Sequence, residues 1–505
     1  MTEQTGSTLD TARALHQAGK LDAAEDAYRS YIADYEDDAE AHHLLGLVLH
    51  GKGEPEAAES VIAKAVALNP RAASFRFNHG ILLEAVGRYQ DAVTAYRFAH
   101  ALQPDNTMAL NTLATMYAKI GELQLAEKTL REALEIKPIA PELVLNLAEV
   151  VLEPGQLERL NEARDLLAPL LETMPHFMAA QALMARALSR SDQKASEKLI
   201  RSVVKRDPKN LRFRKTLTQL LYQWDRFADT ALAAQDVLDK SPFEVDTLTL
   251  LAAAKLRTGE EQYAVDLLSR ADRLDPDGLS KTSARRNALW AAGLHRVGRA
   301  DDGSFLTALE RTVSYEALSP PLGFGKLDSF NEQIGAEVLK QPRHALTSAL
   351  GPGPAIQTGD LMTAPTPVLT AIARSISDRV VAYRDALVLD ADHPFLRSKP
   401  HAFRISIWGI VLQGEERISP HIQDDAWVSG IYCVSMPPPD GNGSGSKIEL
   451  GHLPHALKPS AEVPVQMLDP VAGHIAVFPS STFQSITAPR SGNPWIGVGF
   501  NAYLV

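Results

Sequence analysis

The chain reads as an α-helical repeat solenoid followed by an α+β domain that ends in a small closed β-structure. Three observations predict this. Pro70, Pro104 and Pro138 fall 34 residues apart, and Pro208, Pro242 and Pro276 keep the same step. That period is the mark of stacked helical hairpins. It stops near residue 310, where composition and pattern change. From residue 402 the apolar residues alternate in short runs broken by Gly, Pro, Asp and Ser, which is the pattern of strands.

The repeat half is predicted over 7–310. In the unit that ends at Pro104, Asn78, Gly80 and Leu83 lie on a first helix and Gly87 opens the turn. Ala92, Tyr96 and Ala99 follow on a second helix. Small residues let the two helices approach, Tyr96 fills the space between them, and proline cannot continue the helix. The preceding unit repeats this with Gly46, Gly53, Ala58, Ile62, Ala65 and Pro70, and the following one with Ala114, Tyr117, Gly121, Ala126, Leu130, Ala133 and Pro138. About eight units fit between 7 and 276, with a degenerate ninth to about 310. Between Pro138 and Pro175 the step is 37, which places extra residues near Glu153–Leu160.

This spacing resembles the tetratricopeptide repeat family. First helices of such units line a groove, so polar side chains left over there are candidates for binding a protein or peptide partner. By position these are His42, His43, Arg76, Asn78, Asn111 and Asn146. The three asparagines recur at nearly one spacing, and mid-helix asparagine is a poor helix former. They are expected to hold the backbone of an extended segment.

At 505 residues the chain has room for more than one core. Its net charge of −11 is spread along the sequence, which argues against a nucleic-acid partner. Cys433 is the single cysteine, so no disulfide can form within the chain, as fits a reducing compartment. No apolar run approaches a membrane span. The expectation is a soluble cytoplasmic protein.

Residues 311–400 are read as a linker and helical support. Ser319-Pro320-Pro321 and Leu350–Pro354 give loop signals, and 366–389 reads as an amphipathic helix. In 401–505, strands are predicted at Phe403–Leu412, Trp427–Val434, Lys447–Leu450, Val463–Leu468, Gly473–Phe478 and Trp495–Leu504.

Several blocks there carry a second likeness. Leu412-Gln413-Gly414 precedes His421-Ile-Gln-Asp-Asp-Ala-Trp-Val-Ser-Gly-Ile-Tyr-Cys-Val434. Ile448-Glu449-Leu450-Gly451, Phe478-Pro479-Ser480 and Gly499-Phe500-Asn501 follow. Together they resemble the 2-oxoglutarate/Fe(II) oxygenase domain that bacteria often fuse behind tetratricopeptide repeats. The likeness covers roughly 315–505. It implies a double-stranded β-helix, or jelly roll, with helices on one side. It also implies an Fe(II) site made by a His-x-His or His-x-Asp pair and a distal His, with an Arg gripping the co-substrate carboxylate.

Laid on that pattern, His421 keeps the first ligand. The second position is Gln423, the distal position is Gln484, and the arginine position is Trp495. An amide oxygen is a poor ligand for a first-row divalent metal, and an indole cannot pair with a carboxylate. Asp424 and Asp425 beside the turn are possible substitute carboxylates, Arg490 a possible substitute cation, and His452, His455 and His474 free imidazoles. Iron and 2-oxoglutarate, which the family implies, are expected not to bind here. Three readings follow. The first is an interaction scaffold whose oxygenase-like domain no longer catalyses. The second is an active oxygenase acting on a protein delivered by the repeats. The third is a jelly roll binding a small molecule or carbohydrate without redox chemistry.

Overall fold

The computed structural model describes residues 2–152, 159–348, 351–413, 416–438, 445–457, 459, 462–488 and 493–504, with side chains described outside 2–8 and 344–356. The extra residues expected near 153–160 lie mostly outside this set, and Arg490 lies outside it altogether. The chain divides into two compact units, Met1–Leu199 and Ile200–Val505.

In the first unit the 34-residue step becomes helix hairpins. Ala39–Gly51 pairs with Pro55–Leu68, Ala73–Ala85 with Tyr89–Leu102, and Thr107–Lys119 with Leu123–Ile136. The turn glycines Gly53, Gly87 and Gly121 stand at φ of 81°, 78° and 81°, a left-handed conformation costly for other residues. A Cβ at Gly80 would stand 2.5 Å from the Tyr96 ring, so the small residue and the large one form a matched pair.

The prolines bring a recurrent bond. Arg76 Nε donates to the carbonyl of Pro70 at 2.8 Å, Gln181 Nε2 to that of Pro175 at 2.6 Å, and Arg214 Nε to that of Pro208 at 2.7 Å. In each case the side chain lies six residues beyond the proline. His42 reaches the carbonyl of Glu36 at 2.8 Å in the same way. This ties the start of the first helix to the turn before it.

The second unit begins with repeats of the same kind, Leu211–Gln223 with Phe227–Leu238, Val245–Thr258 with Glu261–Arg273, and Ser283–Arg296 with Ala300–Thr307. Strands follow: β1 (Ser314–Ala317), β2 (Arg343–Ser348), β3 (Gly351–Asp360), β4 (Phe403–Leu412), β5 (Arg417–His421), β6 (Val428–Ser435), β7 (Lys447–Leu450), β8 (Gln466–Leu468), β9 (His474–Pro479), β10 (Gln484–Thr487) and β11 (Trp495–Leu504). A seven-stranded sheet has the order β1-β9-β6-β11-β4-β3-β2, and a four-stranded sheet the order β5-β10-β7-β8. The pairings are antiparallel.

Alternation sorts the larger sheet into two faces. Ile407, Val428, Tyr432, Val498 and Phe500 face helices Leu327–Lys340 and Pro367–Ala386. Ile410, Ile431, Cys433, Phe478 and Trp495 join Ile418, Ile448 and Ile486 of the smaller sheet in a separate core. Two sequence readings change here. The stretch 311–400 holds helices, but also β1 and the β2–β3 hairpin, and the hairpin occupies the Gly-Pro run read as a loop. The short strands β5 and β10 were not predicted, because four or five residues broken by Ser and Pro give too little alternation to read.

Candidate functional site

The candidate site lies between the two sheets. His421 is the last residue of β5, and Gln484, the first of β10, stands directly opposite it in the register. Opposed side chains on neighbouring strands are close enough to share a ligand. Gln423, two residues past β5, completes the set: all three line one cavity. Gln357 of β3, Trp408 of β4 and Gly499 of β11 close it from the larger sheet.

The cavity has a volume of about 20 Å³, roughly the room that one water needs. Gln484 is 6% exposed. The Oε1 of Gln357 is buried without a hydrogen-bond partner among the described residues. His421 is held by the carbonyl of Ser419 at 3.0 Å. Burial pushes its pKa below the usual imidazole value, against the pull of nearby backbone carbonyls and Asp424.

The motif blocks meet beside the donors: the main-chain amide of Gln423 donates to the carbonyl of Ser480 at 3.3 Å, and Gly430 lines the cavity. Ser429 Oγ lies 2.7 Å from Ser480 Oγ and donates to Asn501 Oδ1 at 2.8 Å, and Asn501 Nδ2 donates to the Tyr503 hydroxyl at 3.0 Å. Val-Ser-Gly, Phe-Pro-Ser and Phe-Asn are thus joined in one buried network that fastens β6, β9 and β11. Gly430 has a packing role: a Cβ there would lie 2.1 Å from Phe500 and 2.2 Å from the carbonyl of Ala476.

Two indoles fill the inner face of β11. Trp495 is fully buried and lies over Gly497, where a Cβ would meet its ring at 2.7 Å. Trp408 lies over Gly499 with a corresponding distance of 2.6 Å. Trp408 and Gln357 were not among the residues singled out from the sequence. Trp408 could have been found from the period-two reading of β4, which puts it on the inner face. Nothing in the Pro-Gly-rich run before Gln357 pointed inward.

The substitute donors have other neighbours, though Asp424 Oδ1 is buried without a hydrogen-bond partner among the described residues. Asp424 Oδ2 accepts from Arg285 Nη2 at 2.6 Å, an ion pair to the helix Ser283–Arg296. Burial, then the charge of Asp425, pushes the Tyr503 phenol up. His452 pairs with Glu449 at 3.0 Å, His455 sits on the 3-10 turn His455–Leu457, and the His474 ring packs beside Tyr315. Cys433 is buried, which pushes its thiol up to about 12.

These residues do not fit iron and 2-oxoglutarate. One imidazole faces neutral amides, and among the described residues no cluster of three or more His, Cys, Asp or Glu is placed to hold a metal. Trp495 is buried in the core between the sheets and is not among the residues that line the cavity.

The repeat candidates are partly committed as well. Asn78 Nδ2 contacts His43 Nε2 at 2.8 Å, and Asn146 Nδ2 donates to Asn111 Oδ1 at 2.8 Å. Each bond spans 35 residues and ties one first helix to the next. His43 is buried and stacked on Phe75 with ring centres 4.3 Å apart. His42 and Arg76 make the turn bonds described above.

Comparison with known proteins agrees with this division. Residues 9–73 and 77–141 match the family described as "Tetratricopeptide repeat", and residues 406–501 match the one described as "Putative 2OG-Fe(II) oxygenase". The chain thus carries tetratricopeptide repeats within residues 9–141 and a C-terminal 2OG-Fe(II) oxygenase-like domain over 406–501. Repeats of this type suggest protein interaction. The ALBINO3-like protein 3, mitochondrial, of Arabidopsis thaliana is 31% identical over 149 residues, 27% of this chain and 26% of that protein. A DnaJ homolog subfamily C member 7 homolog of Schizosaccharomyces pombe is 26% identical over 273 residues, 46% of this chain and 57% of that protein. The chain therefore spans less than two thirds of the length of either relative. The crystal structure of a tetratricopeptide repeat protein from Parabacteroides merdae is 19% identical, with a TM-score of 0.44 over 47% of this chain and 93% of that one. No helix among the described residues is long and apolar enough to cross a membrane.

Proposed function

We propose that this chain is a protein-interaction scaffold whose oxygenase-like domain is a non-catalytic jelly roll. The observation that carries the reading is the replacement of charged and metal-binding groups by amides and a buried indole within an intact frame. The order of strands supports the jelly roll. Along the chain β4, β6, β9 and β11 fall in the larger sheet and β5, β7, β8 and β10 in the smaller, so the chain winds between two stacked sheets. The repeats supply the partner surface. In the first unit the amide groups of Asn78, Asn111 and Asn146 not used between helices face a protein or peptide segment. The single, buried cysteine suits a reducing compartment such as the cytoplasm.

Calorimetric titration with Fe(II), together with a succinate assay, tests the reading. Wild type is expected to bind no iron at micromolar concentration and to leave 2-oxoglutarate unchanged. The pair Gln423→His and Gln484→His should create a three-imidazole metal site without turnover. Adding Trp495→Arg should be needed before 2-oxoglutarate is held. Stoichiometric iron and succinate formation in wild type would instead establish an active oxygenase.

A further inference from the structure

First helices of repeat hairpins line the groove in which such arrays receive ligands. In the second unit two of them, Val245–Thr258 and Ser283–Arg296, are already covered. Leu251 and Leu289 share one buried cluster with Ile422, Leu453, Leu457 and Phe483 of the β-domain. Both helices touch the 3-10 turn His455–Leu457. Arg296 Nη1 donates to the carbonyl of Ala456 at 3.3 Å, and Arg285 holds the carboxylate of Asp424. Two leucines four residues apart, a main-chain carbonyl on one guanidinium and a carboxylate on another make up the set of contacts a groove offers a bound peptide.

We propose that the concave face of these last repeats is a peptide-binding groove whose resident ligand is the chain's own segment 452–457, helped by Asp424. The contact is autoinhibitory: the groove is closed to other proteins while the segment is docked. An outside ligand must carry two leucine-like side chains at that spacing and an acidic group. The contact also reaches the cavity between the sheets, because Asp424 follows Gln423 directly. Release of the groove frees the loop that holds Gln423. This inference does not depend on whether the β-domain binds iron, so its test fails or succeeds apart from the metal titration.

The experiment uses full-length protein and a fluorescent peptide with the sequence of residues 449–457. Wild type should show no saturable binding, because the docked segment competes at high effective concentration. The variant Leu453→Asp with Leu457→Asp should bind the peptide at least about tenfold more tightly than wild type. Adding Arg296→Ala to that variant should weaken binding several-fold. Hydrogen exchange in helices 245–258 and 283–296 should rise in the variant and fall again with peptide. If the double variant does not fold, Asp424→Asn is the milder opening, and it too should bind more tightly than wild type. Equal binding by wild type and variants, or binding by none of them, overturns the proposal.

Discussion

Two glycines show how differently the repeats and the β-domain use the same economy of space. At Gly80 an added Cβ would press on the ring of Tyr96, a side chain of the same hairpin. At Gly430 it would meet both Phe500 and the main-chain carbonyl of Ala476, and the carbonyl belongs to a neighbouring strand that cannot yield alone. A repeat packs mainly on its neighbours, so damage there stays local. In the stacked sheets each strand closes the next, so damage spreads. The comparison teaches which part of each family signature is structural. In the repeats the spacing itself is the packing. In the β-domain the Ser429–Ser480–Asn501 network fastens strands, while His421, Gln423 and Gln484 line a cavity beside it.

The largest effect should therefore come from Gly430→Ala, with a loss of about 3 kcal/mol or more and one cooperative collapse of the sheets. Gly80→Ala should cost about 1–3 kcal/mol, and its exchange signature should stay near residues 73–102. Urea unfolding followed by hydrogen exchange by mass spectrometry separates the two. Spreading of the Gly80→Ala effect through the whole first unit would break the comparison.

Acid should act on the second unit through a different residue. His393 is fully buried, and its Nδ1 accepts from the amides of Phe395 and Leu396 at 3.1 and 3.2 Å. Burial, then the charge of Arg311, holds its pKa down to about 4 from an ordinary 6.5. Above pH 6.5 the ring is neutral in folded and unfolded chains alike. As pH falls from 6.5 toward 4 the unfolded chain takes up the proton first, so stability is lost, by about 3 kcal/mol in full. The ring of His421 is shifted in the same direction and adds to the loss. His393→Asn keeps an acceptor for the two amides and should flatten the pH dependence. The check is the difference in urea midpoint between pH 7 and pH 4.5 for wild type and variant.

How much of this was legible in the sequence depended on length of pattern. The helix hairpins repeat Gly80, Tyr96 and Pro104 over many units, so each position is read several times. The amphipathic run at 366–389 likewise became the helix Pro367–Ala386. The motif blocks placed His421, Gln423 and Gln484 in one neighbourhood even though β5 and β10 were too short to read as strands. What could not be read was long-range pairing. Arg285 lies 139 residues from Asp424, and only the fold reveals their ion pair. The asparagines, too, looked free in sequence because their partners lie 35 residues away.

Those asparagines give the smallest effect. Asn78 and Asn146 each make one bond to a neighbouring first helix, and Asn111 receives one of them. Changing all three to alanine removes both bonds and the amide groups that remain toward a partner. Each half-buried hydrogen bond contributes about 1 kcal/mol. Stability of the first unit should therefore fall by about 2 kcal/mol. Affinity for a partner that uses the groove should fall by well over tenfold. The two losses can be told apart. Asn146→Ala removes the bond to Asn111 along with its own amide, and leaves the Asn111 amide free to contact an extended backbone. Thermal unfolding and partner titration on the same samples decide the matter. A variant that loses stability but binds its partner unchanged would assign the asparagines wholly to the helix-to-helix ladder and move the partner surface to another face of the repeats.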